Sequence, residues 1–164
     1  MIHFEERFKK IGDEMNLEIV DNALTPEIYM DVRAQVNFKH YEYDDIKISL
    51  KNSLYTVVIF DDGKPIGISR IVGDGRIVFF IKDVVVIPEY QHRKIGSMLM
   101  NRLEEYISKN ACDGAYIGLM STPGMTNFYK KFGFIEEGIR KKYYADTGDD
   151  AIIMWKYDLE SSDS

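Results

Sequence analysis

Cysteine is almost absent from this chain. A single residue, Cys112, is present, which excludes an internal disulfide and any zinc site built from several cysteines. A reducing cytoplasm is the compartment that suits such usage. Long apolar runs are also missing, and no stretch approaches the ~20 residues a membrane span needs. The first fifteen residues, MIHFEERFKKIGDEM, mix acids with bases and lack an apolar centre, so they do not read as a signal peptide. Positive charge is in deficit: 21 Lys and Arg stand against 27 Asp and Glu, a net charge of −6. That balance argues against nucleic acid as a partner and mildly favours a cationic small molecule. Nor is there a G-x-x-x-x-G-K-S/T loop, or a G-x-G-x-x-G turn after a strand, so two common phosphate-binding devices are excluded.

What remains is ordinary for a globular protein: 164 residues, 45% apolar and 29% charged. That is one domain, large enough to bury a core without cross-links. Phe4, Phe8, Ile11 and Met15 recur at helical spacing and predict an amphipathic helix over 3–15. A strand follows at Leu17–Val20. Thr25 and Pro26 open a helix, as N-cap and first helical residue, expected to run to about Val36. A second helix is expected over 43–51. The runs 55–60 and 65–72 flank Asp61-Asp62-Gly63-Lys64 and read as a hairpin. A long apolar run, 77–87, stops at Pro88. Helices over 95–109 and 126–131 alternate with strands at 116–120, after Phe134 and at 152–157, and the tail 160–164 is polar. This order predicts a mixed sheet covered by helices.

Chemistry concentrates where the long strand meets its helix. Pro88 ends the strand, and Gln91, His92, Arg93, Lys94, Ile95, Gly96 and Ser97 lead straight into the helix. Such a junction aims backbone N–H groups and the positive end of a helix dipole at one spot, which suits a phosphate or pyrophosphate. Gly96 permits close approach of an anion. His92, Arg93 and Lys94 add local positive charge to an acidic chain. A solvated basic loop on a plain strand–helix unit would read the same way.

A second stretch, Phe128-Tyr129-Lys130-Lys131-Phe132-Gly133-Phe134, follows about 30 residues on. Together with Val86-Ile87-Pro88-Glu89-Tyr90-Gln91-His92-Arg93-Lys94-Ile95-Gly96, it resembles the GNAT superfamily of acetyltransferases. That family pairs V-x-P-x-Y/F-R/Q-x-x-G-x-G/A with a short helix bearing Y-x-K-x-G-F. The resemblance covers roughly residues 17–158. It implies an α/β fold with a central, mostly antiparallel mixed sheet of six to seven strands flanked by helices. The expected organisation is a helical extension over 1–16 and one N-acetyltransferase domain over 17–160, with a homodimer as an admitted assembly. Two departures stand out. Lys94 occupies the family's first loop glycine, and Asn127 lies out of register with the asparagine often found before the tyrosine.

The resemblance implies acetyl-CoA as co-substrate, no metal, and a primary amine of a small molecule as acceptor: an arylalkylamine, a polyamine or an amino sugar. Binding of acetyl-CoA falls to Val84, Val85 and Val86, to the loop from Gln91 to Ser97, and to Asn127 and Lys130. A β-bulge near Val85 and Val86 is expected to free N–H groups for the thioester carbonyl. Tyr129 takes the place of the acid that protonates the departing thiolate; a core aromatic is the competing reading. Asp83, before the Val run, either accepts the amine's proton or pairs with Arg70. Acceptor selection is expected from the early helices, at Arg33 and Tyr41 with Phe38, Tyr43, Asp44 and Asp45 nearby, and from Arg70 on the strand over 65–72. Three other functions stay open: a non-catalytic CoA-binding module, for which Lys94 speaks, a transferase acting on protein lysines or N-termini, and acetylation of amino-sugar phosphates, for which Lys82 and Arg70 would supply positive charge.

Overall fold

The computed structural model describes residues 14–144 and 149–157. The helix expected over 3–15 and the polar tail fall outside these residues except for Glu14 and Met15. Seven strands and four α-helices follow in chain order: β1 (Leu17–Asp21), α1 (Pro26–Ala34), α2 (Tyr43–Lys51), β2 (Tyr55–Asp61), β3 (Lys64–Gly73), β4 (Val78–Val86), α3 (Ile95–Asn110), β5 (Tyr116–Ser121), α4 (Thr126–Lys130), β6 (Ile135–Tyr144) and β7 (Asp149–Tyr157). One sheet holds all seven strands in the order β1-β2-β3-β4-β5-β7-β6. Every neighbouring pair is antiparallel except β4 with β5. A parallel pair needs a long crossover, and α3 supplies it. The fold is the mixed α/β sheet that the order of elements implies.

Local chemistry accounts for the boundaries. The Thr25 hydroxyl accepts from the Ile28 N–H at 3.2 Å, and Pro26 fills the first turn of α1. The helix stops two residues short of Val36. There the N–H groups of Val36 and Asn37 turn to Arg33 and Ala34, and Asn37 adopts φ 58. Asparagine tolerates that left-handed geometry better than most residues. In the β2–β3 hairpin, Asp62 and Gly63 have φ 49 and φ 81, the positive pair that a tight two-residue turn demands.

The sheet is buried on both faces around β2 and β3. Gly67 and Arg70, three apart on β3, point to opposite faces. A Cβ on Gly67 would lie 3.1 Å from Ile95 Cγ2, so α3 packs directly on that side. Arg70 meets residues that also bind side chains of α1 on the other side. Covered twice, β2 is buried continuously from Tyr55 to Ile59, as strands with two covered faces are. Leu99, Leu103 and Ile107 of α3 complete one half of the core.

Candidate active site

The middle of β4 is irregular in a way that organises everything around it. Ile68 pairs with Val85 and Arg70 with Lys82, so the single residue Ser69 faces two, Asp83 and Val84. That is a β-bulge, with Asp83 at φ 58. The bulge reverses which residues of β4 face which helix. Ile81, opposite Ile71, lies on the α3 face, whereas Val85, opposite Ile68, lies on the α1 face. One turn of strand away, β4 also loses its other neighbour. Its pairing with β5 ends at Ile81 and Leu119, while β5 continues beside β7 through Ser121. From Lys82 onward the two parallel strands form a fork.

Strand alternation decides what faces the fork. The Ile87 N–H donates to Ile66 O at 3.0 Å, toward β3, so the polar groups of Val86 turn the other way. Its carbonyl accepts from Gln91 Nε2 at 2.9 Å, and its N–H faces the fork. Val85, 3% exposed, pairs across to β3. Of the three valines expected to serve the thioester, Val86 therefore presents its amide to the fork and Val85 does not.

Beyond Pro88, a single 3₁₀ turn over Pro88–Tyr90 leads into the loop. Tyr90 is buried and donates to Asp61, whose other oxygen accepts the Asn16 N–H at 3.0 Å. The Arg93 guanidinium stacks on the Tyr90 ring at 5.3 Å. His92 and Lys94 both take left-handed backbone, φ 62 and φ 68. Lys94 is the N-cap residue of α3 and makes no side-chain cap. The first helical N–H groups of any helix lack a partner in the helix, and here Met98 donates to Lys94 O at 3.1 Å. The amides of Ile95, Gly96 and Ser97 thus open toward the loop at the positive end of a 16-residue helix. The Ile95 side chain itself is buried, leaving only its backbone to act. A Cβ on Gly96 would sit 3.3 Å from Phe128 Cζ, so this glycine also seats α4 on α3.

That contact brings the two sequence motifs together. Tyr129, next to Phe128 on α4, is 7% exposed and meets the edges of Phe128 and Phe134 at ring distances of 5.1 and 6.4 Å. Asn127 and Lys130 lie on the exposed part of α4, and Lys130 Nζ is 3.9 Å from Glu136.

On the opposite face of β4, Asp83 is enclosed. Tyr29 Oη donates to one carboxylate oxygen at 2.9 Å and Arg70 Nε to the same oxygen at 3.0 Å. Arg33 Nη1 donates to the other. Burial alone would raise this carboxyl's pKa, but the charges of Arg33, Lys82 and Arg70 outweigh it and hold the group below the usual carboxylate range. Both arginines are occupied elsewhere as well. Arg33 donates to Lys39 O at 2.9 Å and lies against the rings of Tyr29, Phe38 and Tyr41, while Arg70 donates to Ser53 Oγ at 3.1 Å. Asp83 pairs with Arg70, as one of its two readings has it, and with Arg33 as well. Arg33 and Arg70, expected to touch the acceptor, are buried at 6% and 9% exposure around this carboxylate. Tyr41 is the one of the three on the surface. Tyr29 went unread in the sequence, yet it stands four residues before Arg33 on α1, and that spacing puts both on one helix face.

Residues 20–134 match the model of the acetyltransferase (GNAT) family. A candidate ribosomal-protein alanine N-acetyltransferase of Bacillus subtilis is 34% identical over 92 residues, 54% of this chain and 57% of that protein. The chloroplastic GCN5-related N-acetyltransferase 1 of Arabidopsis thaliana is 32% identical over 109 residues, 65% of this chain and 54% of that one. The chain therefore matches a little over half the length of these curated relatives. A solved Staphylococcus aureus protein of unknown function, with acetyltransferase as its suggested activity, superposes with a TM-score of 0.69 at 29% identity, over 73% of this chain and 90% of that one. Matched over most of its length by that family model, the chain belongs to the acetyltransferase (GNAT) family.

Proposed function

We propose that this protein transfers the acetyl group of acetyl-CoA to a primary amine at the fork between β4 and β5. The observation that carries the reading is the coincidence of three features: a bulge at Asp83–Val84, the end of β4–β5 pairing two residues before it, and a 16-residue helix without a side-chain cap beginning eleven residues beyond. The loop and the amides of residues 95–97 suit the pyrophosphate, with His92, Arg93 and Lys94 adding charge. The Val86 N–H, with Val84 beside it, suits the oxygen of the thioester. Donors fixed in place before reaction stabilise the oxyanion as the amine adds to the carbonyl carbon. When the carbon–sulfur bond breaks, the thiolate needs a proton. Tyr129 is the donor, a phenol of ordinary pKa ~10 against an alkyl thiolate of similar basicity. The proton lost by the attacking nitrogen leaves through water, because Asp83 is held as a carboxylate by its cationic neighbours.

The acceptor is read as a small amine. The hollow between α1 and the segment leading to α2 is small and lined by Tyr29, Phe38 and Tyr41 among others. A peptide N-terminus is the second reading, favoured by the activity for which the Bacillus subtilis relative is named. Thiol release from acetyl-CoA, measured across arylalkylamines, polyamines, amino sugars and short peptides, tests both. Turnover with small amines is expected. Turnover with peptides alone would move the acceptor to protein, and none with any amine would leave a binding module without catalysis.

A further inference from the structure

We propose that Asp83 is a positioning residue that ties helix α1 to the oxyanion-facing segment of β4, rather than the base of the reaction. The proposal rests on the reading of the fork as the reacting centre. Its starting point is a backbone that needs explaining. Asp83 has φ 58 in the interior of a strand, a geometry disfavoured for any residue carrying a Cβ. Glycine is the usual occupant of this position in bulges of positive φ. A carboxylate stands here instead, and both of its oxygens are engaged: Oδ1 by Arg33, Oδ2 by Tyr29 and Arg70. Two of the three donors come from α1 and one from β3, so the side chain binds two elements to the residue at which β4 changes faces.

The consequence falls on the next residues. With the peptide after Asp83 fixed in its left-handed turn, Val86 keeps its N–H group toward the fork. If the turn relaxed toward ordinary strand geometry, the local register would slip, and a one-residue slip turns each group to the opposite side. The core resists a complete slip, because Ile81 is buried on the α3 face and Val85 on the α1 face. What the carboxylate governs is therefore the direction of a few amides, not the survival of the fold. The charged and titratable groups around it are Tyr29 and Arg33 of α1, Arg70 of β3, and Lys82 of its own strand. Lys82, opposite Arg70 in the register, contributes its charge to Asp83. Because α1 also borders the hollow read as the acceptor site, an acceptor pressing on α1 acts on the same rivet that sets the oxyanion donors.

The test uses Asp83→Asn, which keeps size and tolerance of positive φ but removes the charge. Tyr29→Phe, which deletes one of the three donors, serves as the milder variant should the first not fold. Amide hydrogen exchange, acetyl-CoA affinity and the pH dependence of kcat are measured on each folded variant. Exchange at Val84–Val86 should quicken while the amides of 95–99 and the affinity for acetyl-CoA stay as they are. Turnover should fall by about a hundredfold in Asp83→Asn, the scale of a small misplacement at a reacting centre, with the shape of its pH profile retained. Loss of the acidic limb of that profile would make Asp83 the base and overturn the proposal. So would unchanged exchange at Val84–Val86. Should the wild-type protein release no thiol with any amine, the proposed function fails and the exchange measurement still decides this inference.

Discussion

The two flanks of β4 treat their polar groups in opposite ways. Toward α1, the carboxylate of Asp83 accepts from three side chains and its arginine partners bond onward to Lys39 O and Ser53. Toward the fork, the Val86 amide and the first amides of α3 point where no strand and no earlier helical turn can meet them. A buried polar group that is fully paired holds architecture. Amides aimed at a common opening are the ones with something left to offer a ligand. The comparison teaches that charge by itself is a poor guide to a site. Arg33 and Arg70, the more conspicuous cations, sit on the architectural flank, while backbone makes up much of the flank proposed to bind acetyl-CoA.

The largest effect expected is on the binding flank. Tyr129→Phe removes a hydroxyl and keeps the ring, so kcat should fall by ~10²–10⁴ with little change in melting temperature. Single-turnover rate and thermal melting on one preparation check it. The converse, lower stability with turnover intact, would return Tyr129 to the core and blur the contrast between the flanks.

Next comes the architectural flank. Asp83→Ala strands two buried guanidiniums and should cost about 3–5 kcal/mol of stability in denaturant melts. The pH dependence has a definite sign. The folded carboxyl has a lowered pKa, so its stabilising contribution is present above the unfolded value of ~3.9 and is lost as pH falls through the folded one. In Asp83→Asn that acid-limb loss should flatten.

Gly96→Asp is the third. It places a negative charge among the amides of 95–97 and a Cβ 3.3 Å from Phe128. Acetyl-CoA affinity should drop by more than about tenfold, or ~1.4 kcal/mol, by calorimetry. Unchanged binding in a folded variant would move the pyrophosphate away from this helix. The smallest effect belongs to Lys94→Gly. Relief of a left-handed non-glycine residue, ~1–2 kcal/mol, is offset by the added freedom of glycine in the unfolded chain, ~0.5–1 kcal/mol. Stability should hold or rise slightly, and affinity for acetyl-CoA should change by less than about tenfold. Complete loss of binding would instead make the lysine an essential phosphate ligand.

Much of this arrangement was legible in the chain itself, because the signals are local. The Thr25–Pro26 cap, the Asp62–Gly63 turn, Pro88 and the helical spacing after Lys94 each act within a few residues, and the elements begin and end close to them. The loop at 91–97 was legible for the same reason: a strand, a proline and a helix start define where amides converge. Asp83 was harder. Its spacing admits a base or a partner of Arg70, and nothing local announces its contact with residue 33, fifty positions away.

The bulge shows most clearly where the chain alone falls short. Phe79, Ile81, Asp83, Val85 and Ile87 alternate without a break, and all are buried, so their pattern reads as one regular strand. Alternation reports only that a residue is covered, not by which layer. With α1 on one face and α3 on the other, a strand can change faces at Asp83 and keep the same pattern of buried residues. Element type, order and the loop at 91–97 follow from interactions a few residues long. The face that each valine turns to the fork, and the burial of Arg33 and Arg70 around one carboxylate, follow from contacts between distant segments, and those exist only once both layers have closed over the sheet.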